Sequence, residues 1–193
     1  MHDLHKEELH KIAQHHVKET HQKIVDEQKN TEEQIKKLKE QLRKPSNPER
    51  LVQTKLLNIR EDSREHLEQL SHSPYFVRCD VKFEFESDIK TYYFAKFSFP
   101  TENIFSWITP ASSIRYELPG SCSYRLQDGS QKNLELLRKD QFMIVEDHIV
   151  FMTSESKDYE RGLIYQEYFS RQKSQFALSD IVSQMEKAQD AVI

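Results

Sequence analysis

From Leu4 to Lys44 the chain contains neither glycine nor proline, and Glu, Lys and Gln dominate it. A stretch this long, built from strong helix formers and free of backbone breakers, predicts one continuous helix. At 1.5 Å per residue such a helix extends roughly 60 Å. Val17, Ile24, Thr31 and Leu38 recur at intervals of seven, and His21, Gln28, Ile35 and Leu42 fall at the matching second seam position. This is a diluted heptad. Pro45-Ser46-Asn47-Pro48 then ends the helix, and Asn47 as N-cap with Pro48 at the first helical position predicts a second one. In it Val52, Leu56, Ile59, Ser63, His66 and Leu70 step by fours and threes. A connection this short sets the two helices antiparallel, stripe against stripe, with the surplus of the first helix overhanging or packing elsewhere. The first unit is thus expected to be an antiparallel coiled-coil arm over 1–72.

Beyond it the period changes from helical to two. Tyr75 to Glu86 alternates, with Tyr75, Val77, Cys79, Val81, Phe83 and Phe85 on one face, and Ile89 to Phe99 repeats the pattern. Ser87-Asp88, Asp128-Gly129 and Glu146-Asp147-His148 are turn signals between such runs, predicting three hairpins. Ile104 to Tyr116 holds the only tryptophan, and Pro110 withholds a backbone donor, so the chain must turn there. Trp107, Pro110, Ser112, Ser113 and Tyr116 are the structural residues of that corner, after which Ile114, Tyr116 and Leu118 alternate as a strand would. Leu163, Ile164, Tyr168 and Phe169 suggest an amphipathic helix over 158–171, and Ser179 can cap another with Ile181, Val182, Met185 and Ala188 as its stripe. The expected fold class is α+β: a long antiparallel helical hairpin over 1–72, a small antiparallel β module over 73–153, and closing helices over 154–193.

Several functions are excluded or disfavoured by composition. A net charge of -4 carries no nucleic-acid signature. Cys79 and Cys122 lack CxxC spacing, so neither a zinc site nor a disulfide framework is implied. His2, His5, His10, His15, His16 and His21 crowd the start of the chain without the i, i+4 pairing of a helical metal site, so they are expected to form a solvated, partly seam-lining face. Ser112 and Ser113 lack a G-x-S-x-G elbow, and no GxxxxGK[ST] loop is present. No catalytic constellation or metal site is therefore expected, and no apolar run approaches a membrane span, which makes the cytoplasm the expected location.

The order Trp107, Pro110, Ser112, Ser113, Tyr116 resembles the W-R-A-P-I-S-S-aromatic-Y stretch of HelD-type helicases, superfamily 1 proteins that bind bacterial RNA polymerase. Ser73, Pro74, Tyr75, Phe76, Arg78 and Asp80 resemble the family's S-P-Y-F-G-R-x-D, Gly120, Tyr124 and Gly129 match a G…Y…G series, and DIVSQMEKAQDAVI at 180–193 is similar to IVxTIQxEQNxII. The family's arginine after the tryptophan is Ile108 here, and its insert between the two helices is missing. The resemblance implies an N-terminal, non-catalytic region whose arm contacts the RNA polymerase core through Arg43, Lys44, Ser46, Asn47, Glu49 and Arg50. It also implies that ATP and magnesium belong to an ATPase core absent from this chain, that Gln189 is an incomplete Q-motif glutamine, and that nucleic acid is met only through the parent protein. Two other readings stand beside it: a stand-alone coiled-coil interaction protein that self-associates through its heptads, and the accessory half of a split nucleic-acid-dependent ATPase.

Overall fold

In the computed structural model, which describes residues 2–44, 48–157 and 159–167, helix α1 (His2–Leu42) runs unbroken for 41 residues and α2 (Arg50–His72) for 23. Gln28 Nε2 donates to Ser71 Oγ at 3.3 Å and Lys39 meets Glu61 at 2.8 Å, so one helix advances as the other recedes. The second helix is the shorter, and the surplus of α1 lies on a sheet. Ala13, Val17 and Ile24 of that surplus share a core with Leu67 and Leu70 of α2 and with Tyr75, Tyr93, Phe142, Ile144, Ile149 and Met152.

The sheet overturns the expected architecture of a small antiparallel module followed by helices. It has seven strands: β1 (Val77–Phe83), β2 (Ile89–Ala95), β3 (Ile104–Ser106), β4 (Gly120–Arg125), β5 (Gln131–Val145), β6 (His148–Ser156) and β7 (Tyr159–Gln166). Their order is β3-β2-β1-β5-β6-β7, with β4 also on β5, and β3 runs parallel to β2, which makes the sheet mixed. Strand β7 occupies most of the span in which a first closing helix is expected. Gly162 is a poor helix residue, Ile164 and Tyr165 favour a pleated surface, and pairing with β6 satisfies backbone groups that an edge would leave open. The second closing helix and Gln189 lie outside the described residues.

Strand β5 is the spine. It pairs with β1 along one side and with β4 and then β6 along the other. Val81 pairs with Leu136 but Asp80 with Arg138, so Leu137 is an extra residue, and it reverses the alternation of β5. Leu134 and Leu136 consequently join Val77, Cys79, Val81 and Phe94 on the back of the sheet, while Phe142 and Ile144 face the helices. Each face thus gains its own core. A 3-10 helix, Pro110–Tyr116, closes the back with Ile114 fully buried. That helix stands where the alternation of Ile114, Tyr116 and Leu118 suggests a strand; Tyr116 and Leu118 are exposed.

Candidate functional site

The end of the helical hairpin stands clear of the sheet. Contact between α2 and the sheet begins at His66, whose ring stacks on Phe97 with centroids 4.0 Å apart, and Lys96 reaches Gln69 at 2.6 Å. The part of α2 before His66 projects roughly 24 Å at 1.5 Å per residue. At its tip Arg43, Lys44, Glu49 and Arg50 are exposed, so the turn presents three cations and one anion. Ser46 and Asn47, expected in the same contact, lie outside the described residues. Helix α2 starts at Arg50 with Glu49 at the N-cap and no side-chain cap bond, two residues later than an Asn47 cap would place it. Arg43 also lines an open groove of about 370 Å³ between the helices, together with Glu32, Ile35, Lys36, Lys39, Glu40 and Arg64. Lys39 holds the Glu61 carboxyl below its ordinary pKa by hydrogen bonding.

The seam between the helices uses the expected stripe of α1 but not that of α2. Thr31 and Ile35 are buried. On α2 the covered positions include Gln53, Leu57, Arg60, Arg64 and Leu67, one residue on from the apolar series, which is itself buried only at Leu70 and half-buried at Ser63. Val52, Leu56 and Ile59 are left 59%, 43% and 57% exposed. Polar side chains fill the seam because Ile35 and Leu38 give it too little apolar area to compel a better match, while arginine stems can cover what there is.

Behind the arm, α1 is fixed to the sheet by histidines and a glutamine. His16 stacks on Tyr93 with centroids 4.4 Å apart and its Nδ1 lies 2.8 Å from the Tyr75 hydroxyl oxygen. His10 stacks on Tyr165 at 3.8 Å. Burial lowers the pKa of both, with Arg78 adding to the effect at His16 and His148 at His10. Gln14 donates to the Asp147 carbonyl at 2.6 Å and accepts from the Ile149 N–H at 2.9 Å, which clamps the β5–β6 turn. The two histidines were expected on a solvated, partly seam-lining face, and Gln14 was not singled out. Sequence alone carries one hint of their role, which is that helix positions 10, 14 and 17 share a face with Ala13.

Beside this seam lies a charged cluster on the same face of the sheet. Asp140 is fully buried and accepts from Arg78 at 3.2 Å, from Arg138 Nε at 2.8 Å and from the Ser154 hydroxyl at 2.5 Å. Asp80 accepts from Arg78 and Thr91, so two arginines balance two carboxylates. On the other face Lys139 and Glu155 form a buried pair at 2.7 Å. Paired charges of this kind hold register rather than react. Burial pushes the Cys79 thiol up to about 12, so it stays protonated and behaves as a small hydrophobe.

The tryptophan corner is held by its own hydrogen bonds. Trp107 N–H donates to the Ala95 carbonyl at 2.8 Å, the Ser112 hydroxyl to the Trp107 carbonyl, and the Ser113 hydroxyl to the Pro110 carbonyl at 2.9 Å. Both serines are thereby used as turn formers. Arg115 lies over the rings of Tyr116, Trp107 and Phe76, at 4.5, 5.7 and 5.6 Å.

Among the described residues no group of three or more His, Cys, Asp and Glu is arranged to hold a metal ion, and no helix is long and apolar enough to cross a membrane. No family model matches the chain, and no curated protein matches it.

Proposed function

We propose that this chain is a binding module of the HelD type, whose two-helix arm engages the core of bacterial RNA polymerase while ATP and magnesium are handled by sequence outside it. The observation that carries the reading is the projecting end of the hairpin, where Arg43, Lys44, Glu49 and Arg50 are exposed at a turn rooted in a sheet. A rigid root matters because a probe that is already ordered loses little conformational freedom on docking. Gln14 and His16 supply that root by fixing the overhang of α1. Three cations at one turn suit an acidic channel or groove, where they steer encounter and fix orientation. The ordered landmarks from Ser73 to Tyr116 support the family: the Trp107 corner lies with Ile114 on the back of the sheet, while Tyr75, Arg78 and Asp80 lie on the face that carries α1.

Retention of purified core polymerase by the immobilised chain tests this. The triple variant Arg43→Glu, Lys44→Glu, Arg50→Glu should reduce retention by about tenfold or more, with stronger loss at low salt. Retention unchanged from the native chain would remove the tip as the contact.

A further inference from the structure

The apolar face of α2 that α1 leaves uncovered has a regular order. Val52, Leu56, Ile59 and Ser63 repeat at coiled-coil spacing, and toward the sheet the same line of residues continues through His66 on Phe97 into Leu70, which is 1% exposed. Its root at Leu70 is therefore covered, Ser63 is half-buried, and the open apolar stretch is Val52, Leu56 and Ile59. Apolar side chains side by side on a helix face, left in water over a few hundred Å², mark a contact surface.

We propose that this face pairs with the same face of a second copy of the chain, the two α2 helices running antiparallel about a two-fold axis. The charges beside the stripe select this arrangement. When the open stretches overlap fully, Leu56 lies against Ile59 of the second copy and Val52 against Ser63. In that register the flanking Lys55 stands opposite Asp62 of the other copy, twice by symmetry, and both side chains are exposed. On the opposite flank Gln53 and Arg60 are half-buried in the seam with α1 of their own chain, so that flank brings no like charges together. A parallel pairing would instead set Lys55 near position 60 of the other copy, where no acid stands. The antiparallel register also ends each partner helix, at Arg50, level with position 65, one residue short of where the sheet takes over at His66. The inference is independent of the polymerase reading, because it uses the side of the arm and not its tip.

Sedimentation equilibrium of the full chain across the micromolar range decides the matter, with no polymerase present. The expected result is a reversible dimer whose dissociation constant rises at least tenfold, about 1.4 kcal/mol, in Leu56→Glu. Lys55→Asp and Asp62→Lys should each weaken it, and the double exchange should return it close to the native value. All of these positions are exposed, and unchanged thermal unfolding of each variant at low concentration verifies that the fold is retained. A monomer throughout the range overturns the proposal, including one in which another segment of the same chain covers the face. So does a dimer indifferent to the charge exchange.

Discussion

His16 shows how a single side chain in this molecule couples the arm to its base. Its ring lies between α1 and the sheet, stacked on Tyr93 and within 2.8 Å of the Tyr75 hydroxyl oxygen, with Thr20 Oγ1 3.5 Å away. Burial is the first cause of its lowered pKa and the Arg78 guanidinium the second, while Glu102 and Glu19 oppose them. A base whose folded pKa lies below its unfolded value binds fewer protons folded than unfolded, so stability rises with pH between the two values. The contribution is therefore intact above the ordinary histidine value of about 6.5 and is lost as pH falls below it toward the depressed folded value. Urea unfolding at a series of pH values should show a falling midpoint from pH 7 to pH 5. His16→Gln keeps a group able to bond the Tyr75 hydroxyl but does not titrate, and it should flatten much of that fall. An equally steep dependence in the variant would place the sensitivity elsewhere, with His10 on Tyr165 the next group to replace.

Among the elements, β5 decides which core each neighbour serves, and it does so through one residue. Leu137 is the extra residue opposite the Asp80–Val81 step, and the side chains on either side of it point to opposite faces. Deleting Leu137 should turn Leu134 and Leu136 toward the helices or Phe142 and Ile144 away from them, and no folded product is expected by circular dichroism or by dispersion of amide signals. Leu136→Ala, by contrast, keeps the register and creates a cavity where the side chain was fully buried, costing about 2–5 kcal/mol in chemical unfolding. A folded deletion variant would show that the bulge is dispensable. This switch also marks where sequence reading stops. The Asp128-Gly129 hairpin was legible because its turn residues tolerate positive φ, and Gly129 adopts it at 85°. The turn at Glu146-Asp147 was legible from the apolar runs on either side of it, and the positive φ of 57° falls there on Glu146, a residue with no preference for it. The alternation on β5 was legible only piecewise, since an inserted residue looks like any other leucine. Strand β7 escaped because Leu163, Ile164, Tyr168 and Phe169 suit a helical period as well as a strand, and what decides is the open edge of β6, which no local pattern displays. The covered side of α2 was missed by one position because polar Gln53, Arg60 and Arg64 carry no hydrophobic signal. The exposed tip was legible from Pro45 and Pro48, which oblige the chain to turn there.

Taken as a whole, the molecule is unevenly stabilised along its length, and the gradient follows burial. The overhang of α1 contributes Ala13, Val17 and Ile24 to the main core and is pinned at Gln14. Toward the tip, Thr31 and Ile35 are the last buried side chains of α1, and in α2 none is buried before Leu67. Opening the end of the hairpin therefore exposes little apolar surface, whereas opening the overhang exposes the centre of the core, and local opening free energies scale with what is exposed. Native-state hydrogen exchange at low protein concentration should find amides of 36–42 and 53–62 exchanging at least about tenfold faster than those of 13–24 and 67–70. Uniform protection along α1 would mean that the hairpin and the sheet open as one unit. If two copies pair through Val52, Leu56 and Ile59, the fast set should slow as concentration rises, most at 52–63, while the amides of 13–24 stay unchanged. The end of the hairpin is then helical but held by fewer buried side chains than its base, and the rigid base beneath it limits how much freedom is lost in each encounter.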